Sequence, residues 1–424
     1  MSTLTAEQME AIARNPYRND FPLLAENDGL VFLDSAATAQ RPAAVLDAQR
    51  RFYETMNANP LRGLYRLSMD AAQAIDESRA HIARFIGALD ENEEPQKDAV
   101  VFTRNASESL NLLAHTVPQV AELGPGDDVV ISIMEHHSNL IPWQQVCAAT
   151  GANLVYLRCD GDYQITLAEI EDKIGPAAKI VSVTQVSNVL GVENDVAAIA
   201  ERAHQMGALC IVDGAQSVPH LRVDVRELGC DFLAFSAHKF GGPMGIGVLW
   251  GRPELFDAMP PFLTGGEMID SVSETGAVWS PVPQKFEAGT QDAAGVFATD
   301  AALSYLESLG MEAVEERERL LATYLCERLD ALDYVTVIGP SQGDRHVGAV
   351  AFDVKDVHPH DVASILDMSN VCIRAGHHCA QPLLTYLGWH STCRASVAFY
   401  NDASDVDRLV EGLDQVWRIF HGSR

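Results

Sequence analysis

Residues 230–247 read CDFLAFSAHKFGGPMGIG. The apolar run Phe232 to Phe235 stops at Ser236, His238 and Lys239 and opens into a glycine-rich turn. A run this short, bounded by turn residues, has the pattern of a strand buried on both faces. Working outward, the same theme recurs in AVVFTRNASES from 99, DVVISIMEHHSN from 128, KIVSVTQVSNVLG from 179 and ALCIVDGAQS from 208. Helical stretches such as ASESLNLLAHTV and VAAIAERAHQMG separate several of these runs. Strands alternating with helices predict an α/β fold, a mostly parallel sheet covered on both faces. Ligands bind beyond the carboxyl ends of such strands, and every polar cluster in these runs falls at such an end.

The last part of the chain differs in texture. GAVAFDV from 348, DVASILDMSN, a short VCIRAG and the amphipathic SDVDRLVEGLDQVWRIF predict a smaller α+β unit. We therefore expect three segments: residues 1–30 packing with the small unit, a large domain over 31–300, and a small domain over 301–424. Thr5 and Gln8 form a capping box for a first helix. The acids outnumber the bases by 59 to 30, a net charge of -29 that repels nucleic acid and anionic membrane surfaces. No stretch is apolar for the roughly 18 residues a membrane span requires, and no secretory leader is evident, so a cytoplasmic protein is expected. The 8 cysteines contain no CxxC pair, which gives no support to a zinc or iron-sulfur framework.

The chemistry-bearing residues gather at the strand ends. Lys239, one of 6 lysines, follows a buried strand, where an amine is a candidate for a depressed pKa and Schiff-base chemistry; binding a phosphate or lying at the surface are the alternatives. Asp213, in VDGAQS, can face the protonated ring nitrogen that pyridoxal phosphate requires, or it can be a turn residue before Gly214. RNASES lies between strand and helix, where backbone amides and the helix dipole suit an anion, and Ser107 there is either a phosphate ligand or an N-cap. Ser236 and His238 flank the lysine. His136 in MEHHSN can stack on an aromatic ring or shuttle a proton near neutral pH. Cys379 sits in RAGHHCAQP, a loop-like segment in which a thiol can be tuned toward thiolate; a buried small hydrophobe is the other reading.

Together these segments resemble the pyridoxal-phosphate cysteine desulfurases and selenocysteine lyases of fold type I (aspartate aminotransferase-like), most closely the group II, SUF-type branch. MEHHSNLIPW, TQVSNVLGVEN, VDGAQSVPH, FSAHKFGGPMGIG, GGEMI, FEAGT, RAGHHCAQP and CRASVAFYN all follow the family's order. The resemblance implies that Lys239 carries the cofactor in Schiff-base linkage, Asp213 pairs with the pyridinium, and His136 stacks on the ring. It implies that Gln216 and Asn188 bond the ring's phenolic oxygen, and that the phosphate is held at Ala106 and Ser107 with Ser236, His238 and, from a second subunit, Thr290. Arg394 would clamp the substrate carboxylate, with Asn188 beside it, and Cys379 would take the sulfur of L-cysteine as a persulfide, leaving L-alanine. The resemblance further implies a homodimer, a sulfur-acceptor protein of the SUF system, a role in iron-sulfur cluster assembly, activity on L-selenocysteine, and no metal ion. Three departures stand out: Ala106-Ser107 where the family often has two threonines, Leu61 and Tyr65 where histidines are frequent, and Met244 where a threonine is frequent. A zinc site on His377, His378 and Cys379 is the rival from another class, and adjacent residues rarely furnish a tetrahedral site.

Overall fold

The computed structural model describes residues 3–422 except 28, 62 and 341. Its strands are β1 (Val31–Phe32), β2 (Val100–Thr103), β3 (Asp128–Ser132), β4 (Asn153–Leu157), β5 (Ala178–Thr184), β6 (Leu209–Asp213), β7 (Phe232–Ser236), β8 (Gly247–Gly251), β9 (Ile269–Val272), β10 (Ala277–Trp279), β11 (Val335–Ile338), β12 (Ala349–Val354), β13 (Val371–Cys372), β14 (Arg374–Gly376) and β15 (Thr392–Ser396). The central sheet has the order β2-β8-β7-β6-β5-β3-β4. β8 runs antiparallel to both β2 and β7, and the other pairs are parallel. Pairing of Thr184 with Asp213 and of Asp213 with Ala234 brings the carboxyl ends of β5, β6 and β7 level.

The five runs read as strands are β2, β3, β5, β6 and β7; β4 and β8 join them. β4 lies at the sheet edge with a mostly half-buried pattern, so its apolar signal is diluted. β8 begins inside the glycine-rich segment. A Cβ at Gly247 would stand 2.5 Å from the Asn105 backbone, so the closeness of β8 to the turn before helix Ala106–Val120 requires glycine there.

The smaller sheet, β11-β12-β15-β14, is antiparallel, and β1 pairs with β13 beside it. Its core of Val350, Phe352, Cys393, Ala395, Val406 and Leu413 also takes in Ile12, Val31 and Leu33 from the start of the chain. The capping box forms as expected, Thr5 Oγ1 accepting from the Gln8 amide. Helix Ala293–Leu309 runs unbroken across the expected boundary at 300/301. The change of core comes later, within helix Met311–Asp330: Met311 and Val314 belong to the large core, Leu321 to Leu329 to the small one. We therefore propose the division inside that helix, because a continuous helical ladder leaves no linker at 300.

Helix Arg66–Phe85 docks on helix Ala293–Leu309 partly through His81, whose Nδ1 lies 2.7 Å from Asp300 Oδ1 and Nε2 2.8 Å from Glu307 Oε2. The hydrogen bond to Asp300, and then that to Glu307, raise the imidazole pKa. A folded-state pKa above the free value means that the stabilisation is full below about pH 6.5 and is lost as pH rises through the raised value. The expected result is that His81→Gln lowers Tm most at about pH 6 and progressively less toward alkaline pH. A Tm difference independent of pH would contradict this account.

Candidate active site

A cavity of about 580 Å³ opens at the carboxyl ends of β5, β6 and β7 and is walled on its far side by β14, β15 and the loop after β14. Lys239 closes the short turn after β7 and lines this cavity with Asp213, the last residue of β6. Burial lowers the Lys239 amine to about 8, while Asp213 acts against the shift. Burial likewise raises the Asp213 carboxyl, opposed by Lys239 and by the Ala215 amide, which donates to Oδ1 at 2.9 Å. Each of these oppositely charged groups on neighbouring strand ends thus favours the other's ionised form against the effect of burial.

The N-terminus of helix Ala106–Val120 points into the same space. Asn105 is its N-cap, accepting from the Glu108 amide at 2.9 Å, which corrects the N-cap reading of Ser107. Ser107 instead turns its hydroxyl to Ser138, and the Ala106 amide donates to Ser236 Oγ at 2.8 Å, tying the helix to the end of β7. The Ser138 amide donates to His136 Nδ1 at 3.1 Å, so the ring proton belongs on Nε2. Burial, helped by Lys239, pushes His136 down to about 3. A neutral ring of this kind is suited to stacking, one of the two roles expected of it. His238 Nδ1 lies 3.2 Å from Thr38 Oγ1, and burial with Lys239 pushes this imidazole down to about 4. One N–H of Gln216 goes to the Ala36 carbonyl at 2.7 Å.

Cys379 is the only exposed cysteine among the described residues, and it stands in the cavity wall. His378 and Cys379 have φ of +52° and +55°, left-handed backbone that non-glycine residues adopt at a cost of order 1–3 kcal/mol each. Three hydrogen bonds hold them there. Asn188 Nδ2 donates to the His378 carbonyl at 2.7 Å, the His137 amide donates to the Cys379 carbonyl at 2.6 Å, and the Gln381 amide donates to His137 Nε2 at 3.2 Å. His137, to which the sequence attached no role, is thus a tie between the large domain and the cysteine loop. Arg394 on β15 is 2% exposed; its NH1 donates to the Asn188 carbonyl at 2.8 Å, and its Nε has no partner.

Thr290 is the one expected site residue outside this cavity. It lines a separate one of about 560 Å³ with Phe102, Arg104 and Glu287, so within its own chain it does not reach the central site. Two residues at the site went unread in the sequence, Arg374 and Asp34. Arg374 stands at the head of RAGHHCAQP, and Asp34 pairs with both Arg374 and Arg394. Glu135, buried beneath the cavity floor, accepts from Asn139 Nδ2 at 2.6 Å and the Thr184 amide at 2.8 Å, and burial raises it to about 8.

The donor set fits pyridoxal phosphate. An amine of lowered pKa, a carboxylate on the neighbouring strand end and a helix N-terminus flanked by Ser107, Ser236 and His238 match the aldehyde, ring nitrogen and phosphate. The unpartnered buried Nε of Arg394 calls for an anion in the same space. Fold and cavity together define a pyridoxal-phosphate enzyme of fold type I. The chain belongs to the aminotransferase class-V family, which it matches over residues 31–409. It is 46% identical over 403 residues to a probable cysteine desulfurase of Halalkalibacterium halodurans, covering 94% of this chain and 97% of that one. Among solved structures, the apo cysteine desulfurase of Thermococcus onnurineus aligns with a TM-score of 0.89 and 38% identity over 98% of this chain and 99% of that one. The Escherichia coli cysteine desulfurase CsdA, in an S-sulfonic acid form, aligns at 0.87 and 37% over 95% and 98%. The activity of this chain is that of a cysteine desulfurase, with pyridoxal phosphate as cofactor and L-cysteine as substrate.

Proposed function

We propose that the enzyme is a group II, SUF-type desulfurase that moves the sulfur of L-cysteine onto Cys379 as a persulfide and passes it to an acceptor protein for iron-sulfur cluster assembly. The observation that carries this reading is the position of Cys379, exposed to solvent yet in the wall of the cavity that holds Lys239, Asp213 and Arg394. L-selenocysteine is a second substrate on the same residues, and the enzyme acts in the cytoplasm; among the described residues no helix is long and apolar enough to cross a membrane.

Bound pyridoxal phosphate supplies an electron sink for charge developing at the substrate α-carbon. The residues that would hold it are Lys239, Asp213, Gln216, Asn188, His136, Ala106, Ser107, Ser236 and His238. Arg394 receives the substrate carboxylate on the donors that Asn188 and Asp34 leave free, as suits a planar fork. The Lys239 amine, at about 8, is partly unprotonated near neutral pH, so its Nζ takes the Cα proton. The Cys379 thiolate attacks the substrate sulfur; an S–S bond forms, the carbon–sulfur bond breaks, and its electron pair stays with carbon, which is protonated to give L-alanine. The protein then bears one more sulfur atom, and a thiol reductant or acceptor must remove it before the next turnover. Mixed with one equivalent of L-cysteine per site and no other thiol, the enzyme is expected to release one alanine per site and no sulfide, and added thiol then to release the held sulfur as sulfide. Sulfide released together with the alanine, before any further thiol is added, would sink the persulfide reading.

A homodimer completes this reading. Leu64, Tyr65, Met69, Met244 and Leu263 are large apolar side chains left exposed on the single chain, and Leu263 lines the same cavity as Thr290. Thr290 would give its hydroxyl to the phosphate bound by the second subunit. Thr290→Ala is expected to weaken cofactor retention about ten-fold, the effect of one hydrogen bond to a charged group. Dilution to monomers should release cofactor from the wild type; a monomer with full cofactor affinity would contradict the arrangement.

A further inference from the structure

Glu135 to Asn139 form one loop between β3 and helix Ile141–Thr150, and the residues within it reach the active site. His136 lines the cavity with Lys239, the His137 amide donates to the Cys379 carbonyl at 2.6 Å, and the Ser138 hydroxyl meets that of Ser107. The two ends of the loop, Glu135 and Asn139, are buried and joined to each other: Asn139 Nδ2 donates to Glu135 Oε2 at 2.6 Å. Each end is also pinned to the sheet. Glu135 Oε1 accepts from the Thr184 amide of β5 at 2.8 Å and from the hydroxyl of Ser132 on β3. Asn139 Oδ1 accepts from Ser182 Oγ of β5 at 2.6 Å and from Trp143 Nε1 at 3.1 Å. An indole nitrogen only donates, so Asn139 must turn its oxygen to Trp143 and its NH2 to Glu135. The Thr184 amide is a donor too, and both carboxyl oxygens of Glu135 are therefore needed as acceptors.

We propose that Glu135 and Asn139 are positioning residues: their side-chain bridge clamps the loop that carries His136 and His137, and so fixes Cys379 relative to the cofactor ring. A buried polar network whose members are all paired holds one geometry. The loop it holds touches the ring through His136 and the cysteine loop through His137, so a single displacement disturbs both. A misplacement of about 1 Å between reacting groups costs on the order of 100-fold in rate. Glutamine at position 135 breaks the clamp whichever way it lies, because its NH2 must face either the Thr184 amide or Asn139 Nδ2, both donors. Adding Asn139→Asp repairs it. The new carboxylate accepts from that NH2 as well as from Trp143 and Ser182, and the charge moves from one end of the loop to the other.

This inference rests on His136 as the ring's neighbour and Cys379 as the sulfur acceptor, and the experiment separates it from them. Two quantities are measured on folded, cofactor-loaded protein: kcat for L-cysteine, and the circular dichroism of the cofactor's visible band, which an achiral chromophore acquires only from the groups packed around it. The variants are Glu135→Gln, Asn139→Ala and the double variant Glu135→Gln with Asn139→Asp, beside wild type, Cys379→Ala and His136→Ala. Glu135→Gln and Asn139→Ala are each expected to lower kcat at least about ten-fold and to change the dichroism, and the double variant to restore both. If Glu135→Gln does not fold, Asn139→Ala carries the test, since it opens the clamp but leaves Glu135 the Thr184 amide and the Ser132 hydroxyl. Wild-type kcat and dichroism in Asn139→Ala, with any loss confined to Tm, overturn the proposal. A double variant that folds and loads cofactor but stays slow overturns it as well, because the charge at position 135 and not the clamp would then set the rate. Full L-cysteine turnover in Cys379→Ala, or unchanged dichroism in His136→Ala, would instead bring down the reading on which the clamp depends.

Discussion

Replacing Lys239 by alanine is expected to remove the visible absorption band of the lysine-linked cofactor and to lower alanine formation from L-cysteine by at least about 10³-fold. Both losses follow from one atom, because Nζ is the amine that holds the cofactor and the base that moves the substrate proton. Lys239→Arg separates charge from chemistry. It keeps a cation opposite Asp213 but cannot form the linkage, so it should bind cofactor without the band and without turnover. The amine also sets a pH dependence. Since burial lowers it to about 8, the neutral form that attacks an aldehyde gains as pH rises, and covalent reloading of apoenzyme should accelerate about ten-fold per unit up to about pH 8 and then level off. A band that survives in Lys239→Ala, or reloading that is flat from about pH 6 to 9, would contradict this assignment.

Cys379→Ala is expected to cut turnover of L-cysteine at least about 100-fold while leaving the cofactor band intact and L-selenocysteine cleavage largely preserved. The thiolate is needed to take sulfur from a poor leaving group, whereas a selenolate departs unaided. The substitution isolates the sulfur atom. Alanine keeps a Cβ at a residue with φ of +55°, so the backbone strain of the loop is unchanged, and the ties to the Cys379 and His378 carbonyls are made by main-chain oxygens that survive. Unchanged turnover of L-cysteine in this variant would return Cys379 to the status of a solvent-exposed bystander.

The cavity was legible because its residues sit where the chain changes character, at the ends of apolar runs. Lys239 after FLAF and Asp213 after CIV announce themselves by the abruptness of that change, and pairing of β6 with β7 makes them neighbours. Arg394 came from the resemblance, as did the choice of sulfur acceptor over buried hydrophobe for Cys379, since nothing in the local pattern of CRAS or HHC says which fold partner they meet. Asp34 and Glu135 were not legible at all. Asp34 pairs with two arginines more than 300 residues away along the chain, brought to it by the pairing of β14 with β15, and the burial of Glu135 depends on β5 lying beside β3. The neutral state of His136 is likewise a product of assembly: the motif MEHH carries an imidazole, and only its enclosure beside Lys239 holds it unprotonated. The expected boundary at 300/301 falls inside a continuous helix for a related reason. Helix Ala293–Leu309 is small-residue rich and buried along most of its length, and composition gives no mark of where a continuous helix changes partners.

The most direct test is the mass of the protein after reaction with one equivalent of L-cysteine per site and no other thiol, followed by peptide mapping. The expected result is a gain of one sulfur atom per chain, confined to the peptide that contains Cys379 and reversed by a thiol reductant, with one alanine released for each sulfur retained. Alanine and free sulfide in equal amounts from a protein of unchanged mass, or added sulfur on a cysteine other than Cys379, would contradict the account.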